Sequence, residues 1–357
     1  MKIMVIGINI RHIAGSASRA GHEVIAVDCY CDRDLSRWAK EIERLPREGW
    51  EESLAILVKR FLPDAVVFGP GLEEATLRGV QVLNNPQEKT SLVSDKLWLA
   101  RWLENKGFPF IRTMTSPEDL SYPFLVKPRR GAGGVGCRAV TSAEELLWQD
   151  GLIAQELKGG LPASVSVIGN GREARAIAEN EQLIGLVWAG ANGFRYSGNI
   201  TPLSFSHYDV ADMAEMAEEI VSGLELVGSN GVDFLLTENG PVPVEVNSRF
   251  QGSLDTVEMA CGINVFDLHL KSFSGQLPER PARPRLTAGR VILYARRNLI
   301  IKQDLTRSWT ADVPLAGSRI LAGEPILSIT AQGSDREEAM AILRSQSEML
   351  CRTHKTK

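Results

Sequence analysis

Lys127 ends a short apolar run and is followed by Pro128, Arg129, Arg130 and the hexapeptide GAGGVG, residues 131–136. Glycines at Gly131, Gly133, Gly134 and Gly136, around Ala132 and Val135, let backbone N–H groups approach phosphate oxygens without Cβ interference. A lysine just before such a loop adds a mobile positive charge, and two arginines add more. The spacing is not G-x-x-x-x-G-K-[ST], so this is not a P-loop. Taken alone, the same residues also read as a flexible hairpin with solvated basic side chains.

A second constellation is Asp233, Glu245 and Asn247. Glu245 and Asn247 are two apart and face the same side of one strand. Asp233 falls on the partner strand across the turn Asn239-Gly240. Two carboxylates and an amide oxygen are hard donors suited to Mg²⁺, or Mn²⁺. Apolar Val232, Phe234, Val244 and Val246 mark the hairpin as core, so polar residues between them need a reason. Arg249 and Gln251 continue the alternation, and a guanidinium there can hold a carboxylate or a moving phosphoryl group. Arg195 and Tyr196, among turn residues, are candidates for recognising an acid or a ring. Arg11 and Ser16, near the N-terminus, are candidates to line a substrate pocket, whereas His12 reads as a local structural residue.

These residues need elements to position them. Residues 2–8, 23–28, 64–69 and 80–83 read as strands, and 11–20 and 51–61 as helices, a βαβ rhythm that predicts a parallel sheet. G-x-G-x-x-G is missing after the first strand, which argues against a dinucleotide site. A helix is predicted from Lys96 to Lys106, stopped by Gly107 and Pro109. Strands are expected at 124–127 and 137–140 around the glycine loop, and a helix over 141–149. IAQEL, ASVSVIGNG and AIAENEQLIGLVWAG read as strands, residues 209–227 as an amphipathic helix, and 232–247 as a hairpin. The segment PERPARPRL reads as a linker, followed by short strands and a final helix. The expected division is 1–90, 91–277 and a small β-rich unit at 278–357.

The bulk composition agrees with a multidomain globular chain. The 357 residues are 44% apolar and 24% charged, enough for a sizeable core. Forty basic and 44 acidic residues give a net charge of −4, which carries no footprint for nucleic acid. No apolar window approaches the length of a membrane span. The five cysteines are scattered without C-x-x-C spacing, which suits a reducing compartment. A cytoplasmic protein with no membrane or nucleic-acid partner is expected.

Lys96, FLVKPRRGAGGVG, IAQEL and GVDFLLTENGPVPVEVNSRFQGS, in that order, resemble the ATP-grasp superfamily over roughly residues 90–340. The resemblance implies an α/β (α+β) architecture: an ATP-grasp fold preceded by a Rossmann-like preATP-grasp domain. Lys96 and Lys127 match lysines that contact ATP phosphates, and 131–136 the loop that closes over them. Gln155, Glu156 and Leu157 match the adenine hinge, Asp233, Glu245 and Asn247 the magnesium face, and Arg249 the arginine that steadies substrate or phosphate. The implied reaction is ATP-dependent carboxylate–amine (or thiol) ligation through an acyl phosphate, on small-molecule substrates, commonly in a homodimer. The E-x-N-x-R-x-Q run also resembles biotin carboxylase, but Ser253 stands where a glutamate base is expected. A bicarbonate-activating carboligase, a small-molecule kinase and an ATP-binding regulatory protein remain alternatives.

Overall fold

The computed structural model describes residues 1–46, 49–204, 210–279 and 283–355. Strands β1 (Lys2–Gly7), β2 (Glu23–Asp28), β3 (Glu41–Arg44), β4 (Ala65–Phe68) and β5 (Gln81–Val82) form a parallel sheet in the order β3-β2-β1-β4-β5. β4, AVVF, is buried at every position, the pattern of a strand covered on both faces. On one face, α2 (Trp50–Phe61) drops Leu54 onto Met4, Ile6 and Phe68. On the other, α1 (Arg11–Arg19) brings Ile10 and Ile13 to Ile3 and Val5, and Phe250, Leu254 and Phe266 complete the core. β1 therefore depends on residues more than 240 positions away in sequence to bury its second face.

Helices α3 (Gln87–Val93) and α4 (Lys96–Lys106) lead into a four-stranded antiparallel sheet. It comprises β6 (Thr113–Met114), β7 (Phe124–Pro128), β8 (Arg138–Val140) and β9 (Leu152–Glu156), ordered β6-β9-β7-β8. Asp95 caps α4 by accepting from the N–H groups of Leu97 and Trp98. The same carboxylate holds the Arg129 guanidinium at 2.5 Å, which ties the start of α4 to the end of β7. The helix expected over 141–149 does not form; only a 3₁₀ turn, Ala143–Glu145, is present. Local groups compete for its backbone: Glu145 accepts from Thr141, and Arg138 takes the carbonyls of Glu145 and Leu147.

The third layer is an eight-stranded sheet, β14-β13-β10-β11-β12-β15-β19-β17. It contains β10 (Leu161–Asn170), β11 (Ala174–Ile184), β12 (Tyr196–Thr201), β13 (Val227–Thr237), β14 (Gly240–Asn247), β15 (Thr287–Tyr294), β17 (Thr310–Ala311) and β19 (Pro325–Gly333). A small pair, β16 (Leu299–Ile300) and β18 (Arg319–Ile320), stands beside it. The strand expected through residue 190 stops at Ile184, where Gly185 turns at φ +63°. Helix α5 (Val210–Gly223) ends before residue 227, which already belongs to β13; Asp209 lies outside the described residues. Met213, Ala217, Ile220 and Val221 of α5 pack on Val165, Val167 and Val232 of the sheet.

Helices α6 (Leu254–Cys261) and α7 (Val265–Ser272) fill the space between the large sheet and α1. Of the expected linker, residues 280–282 lie outside the described residues. After it, β15, β17 and β19 join the large sheet and only β16 and β18 pair apart from it: β15 hydrogen-bonds to β12, and β19 to β15 and β17. Gly198 (φ +141°) permits this join, since a Cβ there would lie 1.9 Å from the Arg290 carbonyl oxygen. The last helix, α8 (Arg336–Lys355), covers β15 and β19 through Ala339 and Leu343.

Candidate active site

A cavity of about 1470 Å³ lies where the three sheets meet. β7 delivers Lys127 to its wall, and Lys96 arrives from the first residue of α4. Both lysines are buried. Lys96 Nζ donates to the Gly131 carbonyl at 2.5 Å and lies 3.4 Å from Glu245 Oε1. Burial lowers Lys127 to about 8, against the pull of Glu245 and with the repulsion of Lys96.

The loop after β7 bends over the cavity. A Cβ on Gly134 would stand 1.9 Å from the Phe194 carbonyl oxygen, and the Tyr196 N–H donates to the Gly133 carbonyl at 3.2 Å. The loop is thus docked on the segment that carries Arg195 and Tyr196. Residues 131–135 line the cavity; Gly136 does not, because it turns back against the Pro128 ring. Gln155, Glu156 and Leu157 form another wall, where Gln155 Nε2 donates to Thr113 Oγ1 at 2.8 Å.

The hairpin supplies the acidic face. Asp233 is in register with Glu245, and Gly231 with Asn247, so the three side chains share one side. Asn247 Nδ2 donates to Asp233 Oδ2 at 3.2 Å. Burial, then the facing Glu245 carboxylate, push Asp233 upward. Two facing carboxylates beside an amide are hard oxygen donors that a divalent cation would relieve of their repulsion, so the residues fit Mg²⁺ or Mn²⁺. Among the described residues no group of three or more His, Cys, Asp and Glu offers an alternative metal site.

Arg249 lines the cavity, pairs with Glu73 and donates to Asn247 Oδ1 at 3.1 Å. Glu73 was not legible in sequence, being one charge in a patternless loop. Gln251 borders the cavity, but its amide folds over Gly231 and Oε1 accepts from Ser166 Oγ at 3.0 Å. Gly231 is required there, since a Cβ would overlap the Gln251 amide at 0.8 Å. Arg195 lies 4.4 Å over the Tyr294 ring, and Tyr196 donates to Asn199 Oδ1 at 3.1 Å.

Arg11 and Ser16 are not at the cavity wall. Arg11 is buried in an ion network, 3.0 Å from Asp255 Oδ1 and 3.0 Å from Asp312 Oδ1, and Arg290 reaches Asp312 at 2.6 Å. Burial alone would raise Asp255; Arg11 outweighs it and holds the carboxyl at about 2. Ser16 donates to Glu258. Both side chains join α1 to α6 instead. His12, read as structural, does face the cavity.

Residues 93–253 match the family model described as the ATP-grasp domain. This stretch of the chain is an ATP-grasp domain. Over its full length it is 27% identical to an uncharacterized protein of Methanocaldococcus jannaschii, covering 94% of that protein. It is 24% identical to phosphoribosylamine–glycine ligase of Pyrococcus furiosus, over 70% of this chain and 66% of that one. Among solved structures, the biotin carboxylase domain of Hydrogenobacter thermophilus 2-oxoglutarate carboxylase superposes with a TM-score of 0.77 at 16% identity, covering 97% and 89% of the two chains. Rhizobium etli pyruvate carboxylase superposes at 0.75 and 15% identity; this chain covers 37% of that one with 97% of its own length. These superpositions show a shared fold. No helix among the described residues is long and apolar enough to cross a membrane.

Proposed function

We propose that this protein is an ATP-dependent carboxylate–amine ligase that works through an acyl phosphate. The observation that carries the reading is the in-register pair Asp233–Glu245, which shares one cavity with Lys96, Lys127 and a docked glycine loop. Asp233, Glu245 and Asn247 would hold Mg²⁺ (or Mn²⁺), which supplies charge neutralisation to the triphosphate. Lys96, Lys127 and the loop N–H groups neutralise the phosphates of ATP and the charge that moves in transfer. A substrate carboxylate oxygen attacks the γ-phosphorus, the bond to the β-phosphate oxygen breaks, and ADP leaves. Arg249 steadies the carboxylate or the moving phosphoryl group. An amine nitrogen then forms the C–N bond and gives up a proton, while the C–O bond breaks and phosphate leaves. The loop keeps water from the acyl phosphate.

The ligase name of the Pyrococcus furiosus relative supports amide formation. Bicarbonate activation is less well supported, because Ser253 is buried 3.2 Å from Ser166 and supplies no carboxylate base. The test is ADP release with Mg·ATP against pairs of amino acids and small carboxylic acids, beside Glu245→Ala. An amide detected by mass, lost in the variant, supports the ligase. ADP with a stable phosphorylated product would make it a kinase.

A further inference from the structure

The cavity continues beyond the lysines to the first βα turn of the parallel sheet, where Asn9, His12, Tyr30 and Asp32 form its wall. Three polar groups there lack partners. His12 is 3% exposed and neither ring nitrogen is hydrogen-bonded. The Asn9 Oδ1 atom is buried and unpartnered. Asp32, 8% exposed, makes no side-chain hydrogen bond or ion pair among the described residues.

The neighbouring charges are already committed. Arg11 is held by Asp255 and Asp312, and Arg290 by Asp312. Asp28 accepts from the N–H groups of Ile10, Tyr30 and Cys31. Buried polar atoms in folded proteins are paired in the great majority of cases, so three unpaired ones on one wall imply partners that arrive with a ligand. The free groups are an amide oxygen, the Asp32 carboxyl, which burial and the neighbouring Asp312, Asp28 and Asp34 push up to about 8, and the two nitrogens of a neutral imidazole, one an acceptor and one an N–H donor. Burial keeps His12 neutral, with its pKa lowered to about 3. An ammonium group suits this wall: its N–H groups serve the amide oxygen and the imidazole acceptor, and its charge offsets the crowding of acidic groups around Asp32. The opposite end, with Lys96 and Lys127, has the reverse polarity.

We propose that the wall formed by Asn9, His12 and Asp32 is the subsite for the amine substrate, and that it takes a compound carrying a primary ammonium group. The assignment of this ligand as the nucleophile rests on the ligase reading; the ammonium site itself is testable without turnover.

The experiment is calorimetric titration of the full chain, saturated with Mg·ADP, using the common amino acids, putrescine, cadaverine and tyramine. The deaminated acid of each amino acid serves as its control. The expected result is an amine that binds the wild type and loses at least about tenfold in affinity in Asp32→Asn and in His12→Gln, while Mg·ADP affinity is unchanged. Three results overturn the proposal: no amine shows this dependence, a deaminated compound shows it instead, or both variants also lose Mg·ADP affinity and so mark the wall as structural. Failure of the ligase reading looks different: amine binding persists, but no acid supports ADP release.

Discussion

Gly133 and Gly134 occupy the same loop at nearly the same backbone angles, φ +67° and +73°, yet differ in surroundings. A Cβ on Gly133 meets nothing within 4 Å, whereas one on Gly134 would stand 1.9 Å from the Phe194 carbonyl oxygen and 2.6 Å from its carbon. Alanine at either position carries the left-handed cost of about 1–2 kcal/mol, roughly tenfold in the docking equilibrium. Gly134→Ala adds a clash with backbone that can be relieved only if the loop lifts. Lifting breaks the Tyr196–Gly133 hydrogen bond, about 1 kcal/mol, and the loop's close packing. The combined shift is about 3 kcal/mol, on the order of a hundredfold. Hydrogen exchange at the Tyr196 amide reads it directly: about tenfold faster in Gly133→Ala and about a hundredfold in Gly134→Ala. Equal exchange in the two variants would refute the docking argument, because only contact with Phe194 distinguishes them.

Lys127 gives a pH prediction. Its pKa near 8 means that free protein loses the charge above that pH, so Mg·ATP binding should be level below 8 and weaken up to about tenfold per unit above it. Lys127→Arg, which does not titrate there, should flatten the profile in calorimetry. Arg11→Met leaves Asp255 with only Arg290 at 3.9 Å, while Asp312 keeps Arg290 at 2.6 Å, and should cost about 3 kcal/mol in urea denaturation. His269 Nδ1 accepts from the Ser229 N–H, and burial lowers its pKa to about 4. Its unfolded value is higher, so the unfolded chain binds the proton first and stability falls as pH drops from about 6.5 toward 4, by up to about 3 kcal/mol. His269→Gln should show a smaller loss of urea midpoint between pH 7 and pH 5.

The parts legible in sequence are those whose signals are local. α4 begins at Lys96 and stops at Gly107, as its apolar spacing and the Gly107 and Pro109 stop predict. The hairpin was legible because Asn239-Gly240 fixes its register, which sets Asp233 opposite Glu245. What was missed depends on distant partners. The attachment of β15 to β12 leaves no local mark beyond Gly198. Arg11 looked available for a substrate until Asp255 and Asp312, over 240 residues away, claimed it. Residues 141–149 have helix-forming composition, but Arg138 and Thr141 engage the groups a helix would need. Gln251 follows the strand alternation expected of it, yet the missing Cβ of Gly231 opens a space that its amide fills.

The central claim is that a carboxylate is phosphorylated in the Lys96–Lys127–Glu245 cavity. Trapping tests it most directly: full-length protein with Mg·ATP, a panel of carboxylic acids and hydroxylamine in place of the amine. One acid should yield its hydroxamate with an equal amount of ADP, and Glu245→Ala should abolish both. ADP release with no hydroxamate from any acid that stimulates it would contradict an acyl phosphate.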